Sequence, residues 1–136
     1  AICQDNAQFC LSEVKLGLIP AVISPYVIRA IGERAARRYF LTAEIFDAHT
    51  AKQLGLIHQV TGKLECALDQ LLETLINNGP VAVRAAKQLI NDVAGHDINE
   101  QIKNLTAERI AKIRVSEEGQ EGLSAFFEKR PPNWQK

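Results

Sequence analysis

The chain has 136 residues, with 16 lysines and arginines against 16 aspartates and glutamates, three cysteines, no methionine and one tryptophan. Zero net charge removes the electrostatic footprint of a nucleic-acid binder, and no apolar run approaches the roughly 20 residues that a membrane-spanning helix needs. Hydrophobic residues at 46% and charged residues at 24% lie near globular averages and exclude wholesale disorder.

Neither end has a charged stretch followed by an apolar one, so no secretory signal is read. Cys3, Cys10 and Cys66 are odd in number and sparse, which fits reduced thiols in the cytoplasm better than a disulfide framework. They share no metal-ligand spacing, and His49, His58 and His96 are scattered, so no metal site is expected. The first residue is not methionine and reads as the middle of something, which makes this chain the expected carboxyl-terminal piece of a longer protein.

Residues 1–16 read as irregular to extended, with a short strand over 7–11 before the turn Leu16-Gly17-Leu18-Ile19-Pro20. Ser24-Pro25 reads as an N-cap followed by proline at the first helical position, where no amide donor is needed. That helix should break near Gly32. Another should follow over 33–41, with Arg34, Arg37 and Arg38 on its wet side and Ala36, Tyr39 and Phe40 inward. Asp47 should cap a short helix ending before Gly55, a residue suited to the left-handed position past a helix end. Residues 56–60 suggest a brief strand.

From there the pattern is helical. Leu64, Leu68, Leu71, Leu72 and Leu75 recur at three- and four-residue steps and form one apolar stripe. Gly79-Pro80 should stop that helix and start another, facing inward through Ala82, Ala86, Leu89, Ile90 and Val93. Asp97-Ile98-Asn99-Glu100 resembles a capping box and should open a helix to about Val115. Ser116 should cap a last helix carrying Leu123, Phe126 and Phe127, ended by Pro131-Pro132. The expected fold is mainly α, with five to seven helices and one or two short strands near the amino terminus.

Two longer motifs go further than periodicity. Ala7-Gln8-Phe9-Cys10-Leu11-Ser12-Glu13-Val14-Lys15-Leu16-Gly17-Leu18-Ile19-Pro20 resembles the second active-site segment of the enoyl-CoA hydratase/isomerase (crotonase) superfamily. Glu121-Gly122-Leu123-Ser124-Ala125-Phe126-Phe127-Glu128-Lys129-Arg130 resembles its carboxyl-terminal motif. Between them, Phe40-Leu41-Thr42-Ala43-Glu44 with Ala48, Ala51 and Gly55-Leu56-Ile57, and then Pro80, Ala82 and Lys87, follow the family's order and spacing.

The resemblance implies the carboxyl-terminal helical part of a crotonase-like α/β fold. Residues 1–60 would be the tail of the core with the second active-site segment, and 61–136 a helical oligomerisation region of a trimer or hexamer. It implies an enzyme that adds water across, or isomerises, the double bond of an enoyl-CoA thioester, in fatty-acid or branched-chain amino-acid catabolism. No separate cofactor is implied, since coenzyme A arrives as part of the substrate. Glu13 matches one of two catalytic glutamates. Hydration needs one group to orient and deprotonate water and another to protonate the α-carbon, and a carboxylate pair can share both jobs. The residue pattern alone also allows Glu13 to be a surface glutamate beside a turn. Phe126 and Lys129 match positions that contact the adenine and 3′-phosphate of coenzyme A, often on a neighbouring subunit. Read without the family, Phe126 is a core residue on one stripe with Leu123 and Phe127, and Lys129 a solvated charge complementing the helix dipole.

Two departures accompany the match. The family's other glutamate and both oxyanion-hole amides belong to a segment upstream of residue 1, and losing one oxyanion donor costs roughly 10²–10³ in rate. This chain alone is therefore expected to be inactive, which leaves a non-catalytic helical oligomerisation module as the competing reading. Many relatives carry Gly-Gly-Thr-Gln-Arg soon after the Ile-Pro, where this chain has Ala21-Val22-Ile23-Ser24-Pro25-Tyr26. That variant looks most like hydratases of branched, carboxylated substrates, the methylglutaconyl- and carboxygeranoyl-CoA type. Arg29, Arg34, Arg37 and Arg38 read as a solvated face. His49 and His58 lack a nucleophile partner at any recognisable spacing, so a hydrolase triad is not supported.

Overall fold

A computed structural model describes residues 1–135. In chain order they form β1 (Ile2–Gln4), β2 (Gln8–Phe9), a 3₁₀ turn (Glu13–Leu16), α1 (Ser24–Thr42), β3 (Phe46–Asp47), α2 (Ala48–Gln53), β4 (Gln59–Thr61), α3 (Leu64–Ile76), α4 (Pro80–Val93), α5 (Glu100–Arg114) and α6 (Glu117–Glu128). The chain is mostly helical, as expected, with six α-helices among the described residues. It divides into two units, Ala1–Asp69 and Gln70–Lys136.

In the first unit β1 pairs in parallel with β4, Ile2 opposite Gln59 and Gln4 opposite Thr61. β2 pairs antiparallel with β3, Phe9 opposite Phe46. The strand expected over 7–11 thus shrinks to two residues, while β1 forms within the stretch read as irregular to extended. The strand expected over 56–60 begins instead at Gln59. Leu56 is committed to the turn closing α2, its amide donating to the Ala51 carbonyl at 2.9 Å.

The core of this unit joins Leu11, Ile31, Ala36, Tyr39, Phe46, Ala51 and Ile57. Phe46 is its centre: its ring lies 4.3 Å from that of Tyr39 and 5.6 Å from that of Phe9, centroid to centroid. α1 kinks at Gly32, whose φ of 75° and ψ of 161° are non-helical, so two helical segments meet there as anticipated. Beyond the kink Arg34, Arg37 and Arg38 are exposed and Ala36 and Tyr39 buried. Ser24 is not the N-cap. The turn over residues 20–23 already starts the helix, with Ile23 at the cap, and the Ser24 hydroxyl donates back to the Ala21 carbonyl at 2.9 Å. Asp47 does cap α2, its Oδ1 accepting from the Thr50 amide at 2.7 Å.

In the second unit Pro80 starts α4 and Ser116 caps α6, its Oγ accepting from the Gly119 amide at 3.1 Å. α5 is capped by Asn99 rather than Asp97, with Asn99 Oδ1 accepting from the Ile102 amide at 2.9 Å. Glu100 consequently falls in the first turn, where it pairs with Lys103 at 2.7 Å instead of closing a capping box. The inward face expected on α4 is incompletely covered: Ala82, Ala86 and Ile90 are exposed, Leu89 and Val93 half-buried. Ala82, Ala86 and Leu89 line a cleft together with Thr106, Ile110 and Ile113 of α5. On α3, Leu68, Leu71, Leu72 and Leu75 form the expected stripe, but each is 42–47% exposed.

Candidate functional site

Glu13 sits on a short, tightly tied piece of backbone. β2 leads into it past buried Leu11. The 3₁₀ turn then starts at Glu13 itself, with the Lys15 amide donating to the Ser12 carbonyl at 3.0 Å. Gly17 ends the turn at φ 72°, a left-handed conformation that costs a side-chain-bearing residue about 1 kcal/mol. The chain doubles back there, and the Leu18 amide donates to the Glu13 carbonyl at 3.0 Å. The backbone of Glu13 is therefore clamped from its carboxyl side by the turn that follows it.

Its side chain is half-buried, and Oε2 is enclosed without a hydrogen-bond partner among the described residues. A carboxylate oxygen removed from water and left unpaired is unfavourable by itself. Glu13 does sit beside a turn, with one of its two carboxylate oxygens enclosed. The next residue, Val14, lines an apolar cleft of about 220 Å³ with Ile19, Pro20, Ser24, Phe40 and Leu41.

Phe126 and Lys129 belong to the second unit, at the end of α6. Phe126 is 77% exposed, with its ring edge-on to Phe127 at 5.8 Å, so within this chain it is not core. Lys129 is the C-cap, held in the left-handed region at φ 53°, and its amide donates to the Phe126 carbonyl at 3.3 Å. Among the described residues no carboxylate pairs with it. Its neighbour Arg130 is fully engaged: Nη1 and Nη2 meet Glu121 Oε1 and Oε2 at 2.7 and 3.0 Å, and Nε meets Glu128 at 2.6 Å. The guanidinium holds the Glu121 carboxyl down at about 2. The motif had marked Glu121 and Arg130 only as family positions. Opposite charges nine residues apart share no helical register, so pattern reading had no signal for their pairing.

The remaining sequence candidates separate cleanly. Arg38 pairs with Glu44 and Arg37 with Glu33, consistent with a solvated face. Bonding to Arg38 lowers the Glu44 carboxyl below its ordinary value, and the Thr50 amide does the same for Asp47. His58 Nδ1 lies 3.0 Å from the terminal amine. Among the described residues no cluster of His, Cys, Asp or Glu could hold a metal ion, and no helix is long and apolar enough to cross a membrane.

The fold, mostly helical with short strands at its start, is that of the crotonase group. A crystal structure of an enoyl-CoA hydratase from Shewanella pealeana superposes with a TM-score of 0.93 at 55% identity, covering 98% of this chain and 51% of that one. An enoyl-CoA hydratase from Mycobacterium smegmatis superposes with a TM-score of 0.94 at 28% identity, covering 100% and 53%. Among curated proteins, the 2,3-dehydroadipyl-CoA hydratase of Escherichia coli K12 is 33% identical over 139 residues, 98% of this chain and 53% of its own length. The enoyl-CoA hydratase/isomerase family profile matches residues 1–136, and the chain belongs to that family. It spans about half the length of the curated relatives it matches.

Proposed function

We propose that the whole protein carrying this chain hydrates or isomerises enoyl-CoA thioesters, with Glu13 as one of its two acid/base carboxylates. The observation that carries this reading is Glu13 Oε2, enclosed and unpartnered on a backbone fixed by the Gly17 turn. A carboxylate so held is ready to take a proton from water as the water oxygen bonds to the β-carbon. A proton is then returned to the α-carbon, completing addition across the double bond. The thioester oxyanion would be met by amides of an upstream segment, and the isolated chain would lack useful turnover.

Three narrower statements join this proposal. Phe126 would stack on the adenine of coenzyme A while Lys129 meets its 3′-phosphate, since an aromatic face and an unpaired ammonium suit those groups. The substrate would be a branched, carboxylated enoyl-CoA of the methylglutaconyl or carboxygeranoyl type. This rests on Ala21-Val22-Ile23-Ser24-Pro25-Tyr26 alone, and the Escherichia coli relative is named for a different substrate. The helical region 61–136 would assemble trimers or hexamers through its exposed apolar faces, in a cytoplasm that suits three free thiols. The same exposed faces favour the competing reading, a helical module that only assembles.

The test is Glu13→Gln in the whole protein, followed by loss of enoyl-thioester absorbance. The change keeps size and shape but removes proton transfer, so kcat should fall by roughly 10²–10⁴ with folding intact. Near-normal turnover would remove Glu13 from the chemistry.

A further inference from the structure

Lys129 stands where glycine is the usual residue. A helix ending in the left-handed region commonly does so on glycine, because a side chain there costs about 1 kcal/mol. Lys129 adopts φ 53° and ψ 40°, and the Arg130 amide still closes on the Ala125 carbonyl at 3.0 Å. The following residues fold back along α6. Glu121 Oε1 accepts from the Asn133 amide at 2.9 Å as well as from Arg130, and Arg130 Nη1 donates to the Pro131 carbonyl at 3.2 Å. The Trp134 ring packs so closely on Gly122 that a Cβ there would come within 3.1 Å of it. Gln135 reaches the Asn77 carbonyl at 2.8 Å.

We infer that Glu121 and Arg130 are positioning residues: their two-pronged ion pair holds the left-handed turn that presents Lys129 to the 3′-phosphate of coenzyme A. This rests on the nucleotide contact proposed above for Lys129. The two adjacent cations divide the work. Arg130 gives its guanidinium to Glu121 and Glu128, and so cannot also serve an anion. Lys129, exposed and without a carboxylate partner among the described residues, is left to do so. A planar fork suits the holding task and a compact ammonium the phosphate.

The experiment measures calorimetric binding of coenzyme A and of 3′-dephospho-coenzyme A to the whole protein, because their affinity ratio isolates the phosphate. A charge-assisted phosphate contact should make that ratio about tenfold in the unaltered protein. Lys129→Ala should bring it close to one. Lys129→Gly should do the same while the protein folds at least as well, since glycine relieves the backbone. Glu121→Gln and Arg130→Lys, which keep bulk but lose the fork, should each cut the ratio at least threefold with kcat maintained. Glu100→Gln, at an exposed pair on α5, should leave it unchanged. If Lys129→Ala abolishes the preference and the Glu121 and Arg130 variants keep it, the positioning role is wrong and the nucleotide contact stands. If Lys129→Ala keeps the preference, both fall.

Discussion

Glu118 caps a helix to which it does not belong: its Oε1 accepts from the Ala82 amide at 2.7 Å, thirty-six residues away in the chain. Its Oε2 accepts from the Val81 amide at 2.9 Å. A carboxylate on α6 thereby satisfies two free amides of α4, at the positive end of that helix's dipole. The approach is possible because residue 79 is glycine, since a Cβ there would stand 2.5 Å from Glu118 Oε1.

Removing this cap should loosen the second unit. Glu118→Ala is expected to lower stability by about 1–2 kcal/mol, the range for losing a good cap. Gly79→Ala should cost a similar amount by displacing the same carboxylate. The double variant should cost clearly less than the sum, because both changes remove one interaction. Urea unfolding of the four proteins measures the coupling, and strict additivity would contradict it.

Gly17→Ala addresses how Glu13 is held. The left-handed φ of 72° should make alanine destabilising by about 1 kcal/mol, although nothing within 4 Å obstructs the new methyl. In the whole protein the strained turn should also displace Glu13, lowering kcat about tenfold or more while KM changes little. An unchanged kcat would mean that Glu13 does not depend on this turn.

Acid should act on the second unit through Glu121. Its pKa in the folded chain is depressed to about 2 from an ordinary 4.5, first by the hydrogen bonds from Arg130 and then by the Asn133 amide. A depressed carboxylate binds fewer protons folded than unfolded, so its stabilising contribution is complete above about 4.5 and is lost as pH falls from there toward about 2. Glu121→Gln should flatten that part of the stability profile. Glu44 and Asp47, also lowered, should preserve a residual slope. Urea midpoints between pH 6 and about pH 2.5 measure the difference.

Four leucines of α3, each 42–47% exposed, make one apolar stripe, the kind of surface that marks an interaction site. The chain should self-associate, with a light-scattering mass above that of one copy. Leu71→Lys with Leu75→Lys should reduce that mass without loss of helical circular dichroism. A monodisperse monomer from the unaltered chain would count against assembly through this stripe.

Local chemistry made much of the helical layout legible in advance. Gly32 breaks α1, Asp47 and Ser116 cap α2 and α6, and Gly79-Pro80 separates α3 from α4 because each acts through its own backbone or its immediate neighbours. Family motifs disclosed the family because they preserve order and spacing. What the sequence did not reveal depends on contacts distant along the chain. β1 exists only because Gln59–Thr61 lies beside it, and how far Ala82, Ala86 and Ile90 are covered depends on what packs against α4. The cap from Glu118 to α4 and the Arg130 fork on Glu121 likewise join residues with no shared periodicity. Enclosure of Glu13 Oε2 is of the same kind: a carboxylate's burial is set by what packs over it, and only the tertiary structure decides that.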